Sequence, residues 1–532
     1  MLQSHRHPLF VLWKAADTQM WNQTSVPQIN VGPKYAVMGI AIGRVVGGGS
    51  AVNGMYNMRG SADDYNRWEQ LFGTQAQNNT ANWGWEGILP YFQKGLNFIP
   101  PPPELTSQFD SLKYDASYWG NTSEIYAGWP KFYWPGVTTL LDAFKEIEGV
   151  EFPPDSGAGQ PGVYWQPSLM DPRSATRSYA QTGHYRNVIT TRPNYHLLIS
   201  TLARRVLFDD ELTATGVEFL ANRSNDSTVM SINASKEVIL SAGTIYSPQL
   251  LQLSVIGPRK LLGAGGIEVL LDLPGVGQNF HDHSSLFAIN MTRPYSIASP
   301  NVAAWLPLTA MSDQADALAT KLEQQDFASI LPTDTHPTVL AGYEAQMKAL
   351  AGQMRSENTA FARLNFLAAS GLEGPVLLQA TNRGSVNINT TDPRHTEPLV
   401  DYRALSNPVE SDIYIESIKF YRRYHFNTTL ASKYTPIEYG PGTNVTSDED
   451  YRSFISNNLL ANDLHPVGTC SMLPLELGGV VDQTLRVCRN VKGLRVVDGS
   501  IIPMVPSANT CQPIYAIAEK TLQAADLIKS GV

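Results

Sequence analysis

Apolar and polar residues alternate from Val188 to Leu220, a period of two that predicts a strand, a turn and a second strand, with Gly216 at the turn. A short apolar run, Val238 to Leu240, reads as a buried strand. The small residues Ser241, Ala242 and Gly243 then turn the chain toward a helix whose start is placed near Ser247-Pro248. Further along the period lengthens. Met311–Ile330 and Tyr343–Met354 repeat apolar residues at helical spacing and predict amphipathic helices, in a stretch from about 300 to 375 with no other readable pattern. From Gly374 to Leu405 the pattern is strand-rich, and the chain closes with "LRVVDG", a loop and a helix.

Composition narrows the class. A chain of 532 residues exceeds what one core usually serves, so two domains or a two-part architecture are expected. Hydrophobic residues at 43% and charged residues at 16% describe a globular enzyme. The net charge of −9 comes with no basic block, which argues against nucleic acid or an anionic membrane as partner. No apolar run reaches the ~18 residues that a membrane span needs. The three cysteines, Cys470, Cys488 and Cys511, show neither a disulfide framework nor zinc spacing. Asn-x-Ser/Thr sequons fall at Asn22, Asn78, Asn121, Asn222, Asn225, Asn233, Asn290, Asn389, Asn427 and Asn444. That density suits a glycoprotein of the secretory pathway, although the opening residues hold no apolar stretch long enough for a signal peptide.

Several segments invite a chemical reading. Val37–Met58 runs from an apolar stretch into Gly47-Gly48-Gly49-Ser50, where consecutive glycines let backbone amides approach a ligand. Gly157–Gly162 satisfies G-x-G-x-x-G literally, but it follows Pro153-Pro154 instead of a strand and carries Pro161 where a helix should propagate. Gly263–Gly266 has Glu268 in place of the last glycine and precedes a strand-like run, so neither is read as a nucleotide loop. The tryptophans of Asn82–Lys94 are read as core. His281-Asp282-His283 suggests a metal, yet neighbouring residues in one loop cannot all face one ion, and no metal site is expected.

The C-terminal part carries the strongest signal. His465 opens "HPVGTCSM" in a Gly/Pro-bounded turn, and Asn509 stands 44 positions on in a second such turn. A histidine can take a proton near neutral pH, and an amide can hold an oxygen in place. These segments, with Val37–Met58, "RGSADDYNRWEQLFG", "LPGVGQNFHDH" and Gly374–Leu405, resemble the glucose-methanol-choline (GMC) oxidoreductases, flavoenzymes that oxidise alcohols. Asn57 and Val255 depart from the usual family residues, an aromatic residue and glycine respectively.

The resemblance implies an α/β fold, α+β overall. It would have a Rossmann-like FAD-binding domain, incomplete at its N-terminus, and a substrate domain of antiparallel sheet and helices. The N-terminal-type region is placed at 1–283, with FAD-binding segments about 1–60 and 188–283. The C-terminal-type region is placed at 374–525, with an FAD-binding return about 465–532, and the substrate domain at about 61–187 and 284–464. FAD is expected against Val46, Gly47, Gly48, Asn53, Gly54, Met55 and Tyr56, against Val206 and Ala242, and against Asp498, Gly499, Thr510 and Cys511. His465 is the expected base and Asn509 the hydrogen-bond donor to the substrate oxygen. The family's dinucleotide-binding βαβ unit would precede Trp21–Gln28, where this sequence has only some twenty residues, so a truncated gene model is expected. The substrate implied is a small alcohol, aromatic or polyketide-derived, in fungal secondary metabolism, with oxygen or a quinone-like acceptor reoxidising the flavin. A non-redox lyase or cyclase and an inactive relative remain alternatives, while a hydrolase is disfavoured because no G-x-S-x-G elbow is present.

Overall fold

The triple glycine sits where two strands hand over to a helix. In the computed structural model, which describes residues 19–73, 82–130, 136–221, 228–286, 289–290, 302–366, 372–438 and 440–530, β1 (Met20–Thr24) pairs antiparallel with β2 (Gly39–Gly43), and Gly47-Gly48 turn the chain into the short α1 (Gly49–Val52). The sequons at Asn78, Asn222 and Asn225 lie outside the described residues. α2 (Ala62–Gln70) and α3 (Trp85–Lys94) follow, and Tyr65, Trp85 and Phe92 pack ring against ring between them. Trp83 and Trp85 are buried, as the core reading expected.

β3 (Gly162–Trp165) is the first strand of the largest sheet. The alternating stretch forms β4 (Thr201–Phe208) and β5 (Ala214–Ala221), with β6 (Val229–Asn233) completing an antiparallel sheet of order β6-β5-β4. Two expectations are corrected here. Residues 188–199 are not a strand, and the turn falls between Phe208 and Ala214, with Gly216 inside β5. A Cβ at Gly216 would stand 2.3 Å from the Ile232 carbonyl oxygen, so this glycine serves close strand pairing.

β7 (Val238–Leu240) appears as expected, but α4 (Gly243–Leu253) begins five residues before Pro248, which lies inside the helix. The region that carried no strand signal holds the largest sheet. β8 (Ser284–Ser285), β9 (Val302–Pro307), β10 (Ala360–Phe366) and β11 (Leu372–Leu377) join β3 in the order β8-β11-β10-β9-β3, and Ile289–Asn290 also pairs with β11. The expected helices are present between β9 and β10, the longest being α5 (Pro337–Met354). α6 (Pro408–Phe426) lies against β11. β12 (Leu494–Val496) returns to pair parallel with β7, and α7 (Cys511–Ser530) ends beside α3. No helix among the described residues is long and apolar enough to cross a membrane.

One buried ion pair ties this frame to the loop that carries Asn509. Ser61 and Asp64 form a capping box at the start of α2. Asp64 also accepts hydrogen bonds from the Ser507 amide at 2.8 Å and the Ser507 hydroxyl, and pairs with Arg67 at 3.2 Å. Arg67 in turn donates to the Val505 carbonyl at 2.6 Å and to Gln353 and Gln379. Asp64→Ala would strand a buried guanidinium, at a cost of about 3–5 kcal/mol. The expected outcome is a thermal midpoint several degrees lower, read by differential scanning calorimetry, whereas Gln70→Ala at the exposed end of α2 should leave it unchanged.

Candidate active site

Three separate passages of chain meet at one polar junction. Asp282, after the chain turns at Asn279, accepts the backbone N–H of His465 at 2.9 Å. His281 donates from Nδ1 to the Asn279 carbonyl at 2.7 Å and accepts the Val505 amide on Nε2 at 3.0 Å. Gly468 makes the approach possible. Its φ is +99°, and a Cβ would stand 2.2 Å from the Asn279 carbonyl oxygen.

Within this junction His465 is brought against Asn509, as the sequence expected, with 2.9 Å between His465 Nε2 and Asn509 Nδ2. Sequence reasoning missed the remaining members. His283 Nδ1 lies 3.1 Å from His465 Nδ1, and Asp463 Oδ2 lies 3.5 Å from the same nitrogen. Arg363, on β10, donates from Nη1 to Asn509 Oδ1 at 2.9 Å and from Nη2 to Asp463 Oδ2 at 2.6 Å. His281-Asp282-His283 stands out in the sequence, but nothing in it shows that His283 faces His465. Asp463, two residues before His465, gave a weak signal, and Arg363 gave none.

Burial shapes the electrostatics. Desolvation, with the Arg363 charge second, holds His465 down to about 3. His283 is held well below its ordinary value, first by burial and then by the neighbouring His465. Burial pushes the Asp282 carboxyl well above the usual range. Both histidines are therefore neutral throughout the physiological range.

His465 and Asn509 stand in the wall of a cavity of about 1070 Å³, at the upper end of small-molecule sites. The same wall includes Gly47, Gly48, Asn53, Gly54, Tyr56, Ala242, Asp498, Gly499, Thr510 and Cys511. Three expected contacts fall outside it. Val46 and Met55 flank the lining, with Val46 turned to solvent. Val206 is buried in β4, where its amide donates to Ser254 Oγ at 2.7 Å, just past the end of α4. The Asp498 carboxylate is taken up by the Gly243 amide at 2.8 Å, Ser247 Oγ at 2.6 Å and the Ser500 amide at 2.8 Å. It thereby satisfies the first amide of α4.

Residues 33–285 and 380–518 match the two profiles of the GMC oxidoreductases. This chain belongs to the GMC oxidoreductase family. The enzyme is 34% identical over 525 residues to the dehydrogenase xptC of Emericella nidulans, across 92% of this chain and 81% of that one. It is 29% identical over 505 residues to the GMC oxidoreductase family protein Mala s 12 of Malassezia sympodialis, across 91% and 79% of the two chains. Among solved structures, a fungal aryl-alcohol oxidase superimposes with a TM-score of 0.88 at 31% identity, covering 94% of this chain and 88% of that one. An FAD-dependent oxidoreductase from Chaetomium thermophilum superimposes with a TM-score of 0.88 at 31% identity, covering 98% and 91%.

FAD is the cofactor of this oxidoreductase, and the cavity is built to take it. Gly48, Gly49 and Gly243 all stand in its wall, and a Cβ at any of them would meet nothing within 4 Å. Side chains there would take up the room that the glycines keep open. Gly49 needs no positive φ, so Gly49→Val adds bulk to the cradle without backbone strain. The expected outcome is a folded enzyme whose FAD affinity is lower by about tenfold or more, on the usual cost of overpacking. Flavin absorbance per chain after gel filtration measures it, with far-UV circular dichroism confirming the fold.

Proposed function

We propose that this GMC oxidoreductase oxidises an alcohol to the corresponding aldehyde or ketone, with His465 as the base and Asn509 as the donor to the substrate oxygen. The observation that carries the reading is the buried, neutral Nε2 of His465, exposed to the cavity and paired at 2.9 Å with the Asn509 amide. FAD, when bound, supplies the acceptor for the hydride that the alcohol carbon gives up. The alcohol O–H takes the place of the Asn509 N–H at His465 Nε2, the hydroxyl proton goes to that nitrogen, the C–H electron pair leaves with the hydride, and the carbon–oxygen bond becomes double. Proton transfer to a lone buried imidazole would be costly. Here the imidazolium forms beside an alkoxide, so the new pair is net neutral and the desolvation cost falls. Asp463, 3.5 Å from Nδ1, supports the positive ring, and the second N–H of Asn509 holds the oxygen in place.

The substrate we favour is aromatic. Tyr56 lines the cavity, and Arg363 sits over its ring at 5.5 Å; behind Arg363, Tyr164 and Trp305 stack with centroids 5.7 Å apart. The likeness to an aryl-alcohol oxidase points the same way. A role in secondary metabolism fits the likeness to fungal dehydrogenases. Passage through the secretory pathway is supported by the exposed sequon asparagines Asn22, Asn121, Asn233, Asn427 and Asn444. Secreted from a eukaryotic host, the enzyme should lose mass on treatment with peptide N-glycosidase, and an unchanged mass would count against that route.

His465→Ala should keep its flavin and its fold while kcat falls by about 10² to 10⁴. The pH profile gives a second check. Because the folded value of His465 is lowered, its basic form is present above about 3 and is lost only as pH falls through that value. The profile of kcat/KM should therefore lack the histidine limb that an ordinary base shows between about pH 5 and 8. A limb there that disappears in His465→Ala would keep His465 as the base and contradict its lowered value.

A further inference from the structure

The hydrogen bonds around His465 run in one direction, and the chemistry of their ends fixes it. At one end a carbonyl oxygen, that of Pro506, lies 3.1 Å from His283 Nε2. A carbonyl can only accept, so Nε2 of His283 carries the proton. His283 is neutral, and its Nδ1 is therefore a bare acceptor. The atom 3.1 Å away is His465 Nδ1, which must be the donor. His465 is neutral too, so its Nε2 is bare. At the other end the guanidinium of Arg363 has donors only, so the atom of Asn509 that it meets at 2.9 Å is the amide oxygen. The NH₂ of Asn509 then faces His465 Nε2 at 2.9 Å, one N–H on the imidazole and the other free for a substrate oxygen.

We infer that His283 and Arg363 are positioning residues: His283 holds His465 as the Nδ1–H tautomer with its lone pair at Nε2, and Arg363 holds Asn509 with its NH₂ toward the reacting oxygen. This rests on the reading of His465 as the base and adds how that base is aimed. Without the His283 acceptor only Asp463 Oδ2, 3.5 Å away and already paired with Arg363, is left to hold the proton on Nδ1; on Nε2 the ring would meet the Asn509 NH₂ donor to donor and could accept nothing from an alcohol. Without Arg363 the Asn509 amide is free to turn its oxygen inward, where it would repel the Nε2 lone pair and offer the substrate oxygen no donor. The pairing of Arg363 with Asp463 keeps the guanidinium from rotating away, and β10 places Arg363 directly opposite Trp305 on β9.

His283, Asp463 and His465 also present one ligand atom each within 4.8 Å of one another, the spacing of a cation site. The Arg363 guanidinium already occupies the Asp463 oxygen at 2.6 Å, and the two Nδ1 atoms share one hydrogen bond, so the geometry points to proton placement. The two readings differ in a measurable way. In the hydrogen-bonded arrangement the two histidines are opposite tautomers, whereas a chelated cation requires both Nδ1 atoms to be bare.

The test is the imidazole nitrogen-15 spectrum of flavin-loaded enzyme carrying labelled histidine, with the two residues identified by the signals lost in His465→Gln and in His283→Asn. The expected result is Nδ1 protonated and Nε2 bare in His465, with the reverse in His283. His465 protonated on Nε2, or bare Nδ1 atoms in both rings, would overturn the proposal. The kinetic arm compares His283→Leu, which removes the acceptor, with His283→Asn, whose amide oxygen stands where Nδ1 stood. His283→Leu should lower kcat by about 10²-fold with little change in KM, and His283→Asn should restore most of it. Equal kcat in the two variants would overturn it as well. Arg363→Lys, which keeps charge but loses the fork, should lower kcat/KM by about 3- to 10-fold while His465 keeps its tautomer. If His465 is not the base, His465→Ala keeps its turnover while the wild-type tautomers remain as described, so the two failures are distinct.

Discussion

An imidazole serves as a base only if it is neutral and aimed, and in this enzyme both conditions follow from one constraint. The junction around His465 is buried, so its polar groups must satisfy one another. Burial makes the imidazolium costly and keeps the ring neutral. The same burial leaves each donor and acceptor few choices of partner, and the choices made run from Arg363 through Asn509, His465 and His283 to the Pro506 carbonyl. A solvated histidine with the same neighbours would exchange tautomers freely and offer its lone pair at either nitrogen.

The rest of the fold serves to bring that junction together. Asn509 and His465 arrive on the C-terminal return, His283 on the loop before β8, and Arg363 on β10 of the largest sheet. Each passage is tied by its own buried group. Asp64 and Arg67 hold the loop at 505–507, Asp282 holds the backbone at His465, and His281 clamps Asn279 to Val505. Asp498 performs the same service on the cofactor side, joining the end of β12 to the start of α4. Asp64, Asp282 and Asp498 thus serve architecture, and glycines, aromatic rings and the His465–Asn509 pair stand in the cavity wall.

What could be read from the sequence was local. The Gly/Pro-bounded turns, the glycine run before Ser50 and the strand Val238 to Leu240 each carry their meaning within a few residues, and each formed as read. The antiparallel sheet was not legible. β9 is buried along its whole length, so it shows no alternation, and a short apolar run of this kind cannot be told from part of a helix. Arg363 was lost with it, since a strand that cannot be located gives no partner for its side chains. Val206 lies outside the cavity wall for a different reason. It lies in a strand that was expected, but which neighbour a strand face meets is decided by α4, some forty residues away in sequence. His283 was visible as part of a triplet, and only the folded loop shows that it belongs with a residue 182 positions further on.

The most direct measurement is the anaerobic mixing of flavin-loaded enzyme with a panel of aromatic and aliphatic alcohols, following the visible flavin absorption in wild type and in His465→Ala. The account predicts that an alcohol, most readily an aromatic one, bleaches the flavin within the turnover time of the wild type. The same alcohol should bleach the His465→Ala enzyme at least about 10²-fold more slowly. A product formed from the alcohol while the flavin stays oxidised, or bleaching that proceeds at the same rate without the His465 imidazole, would contradict it.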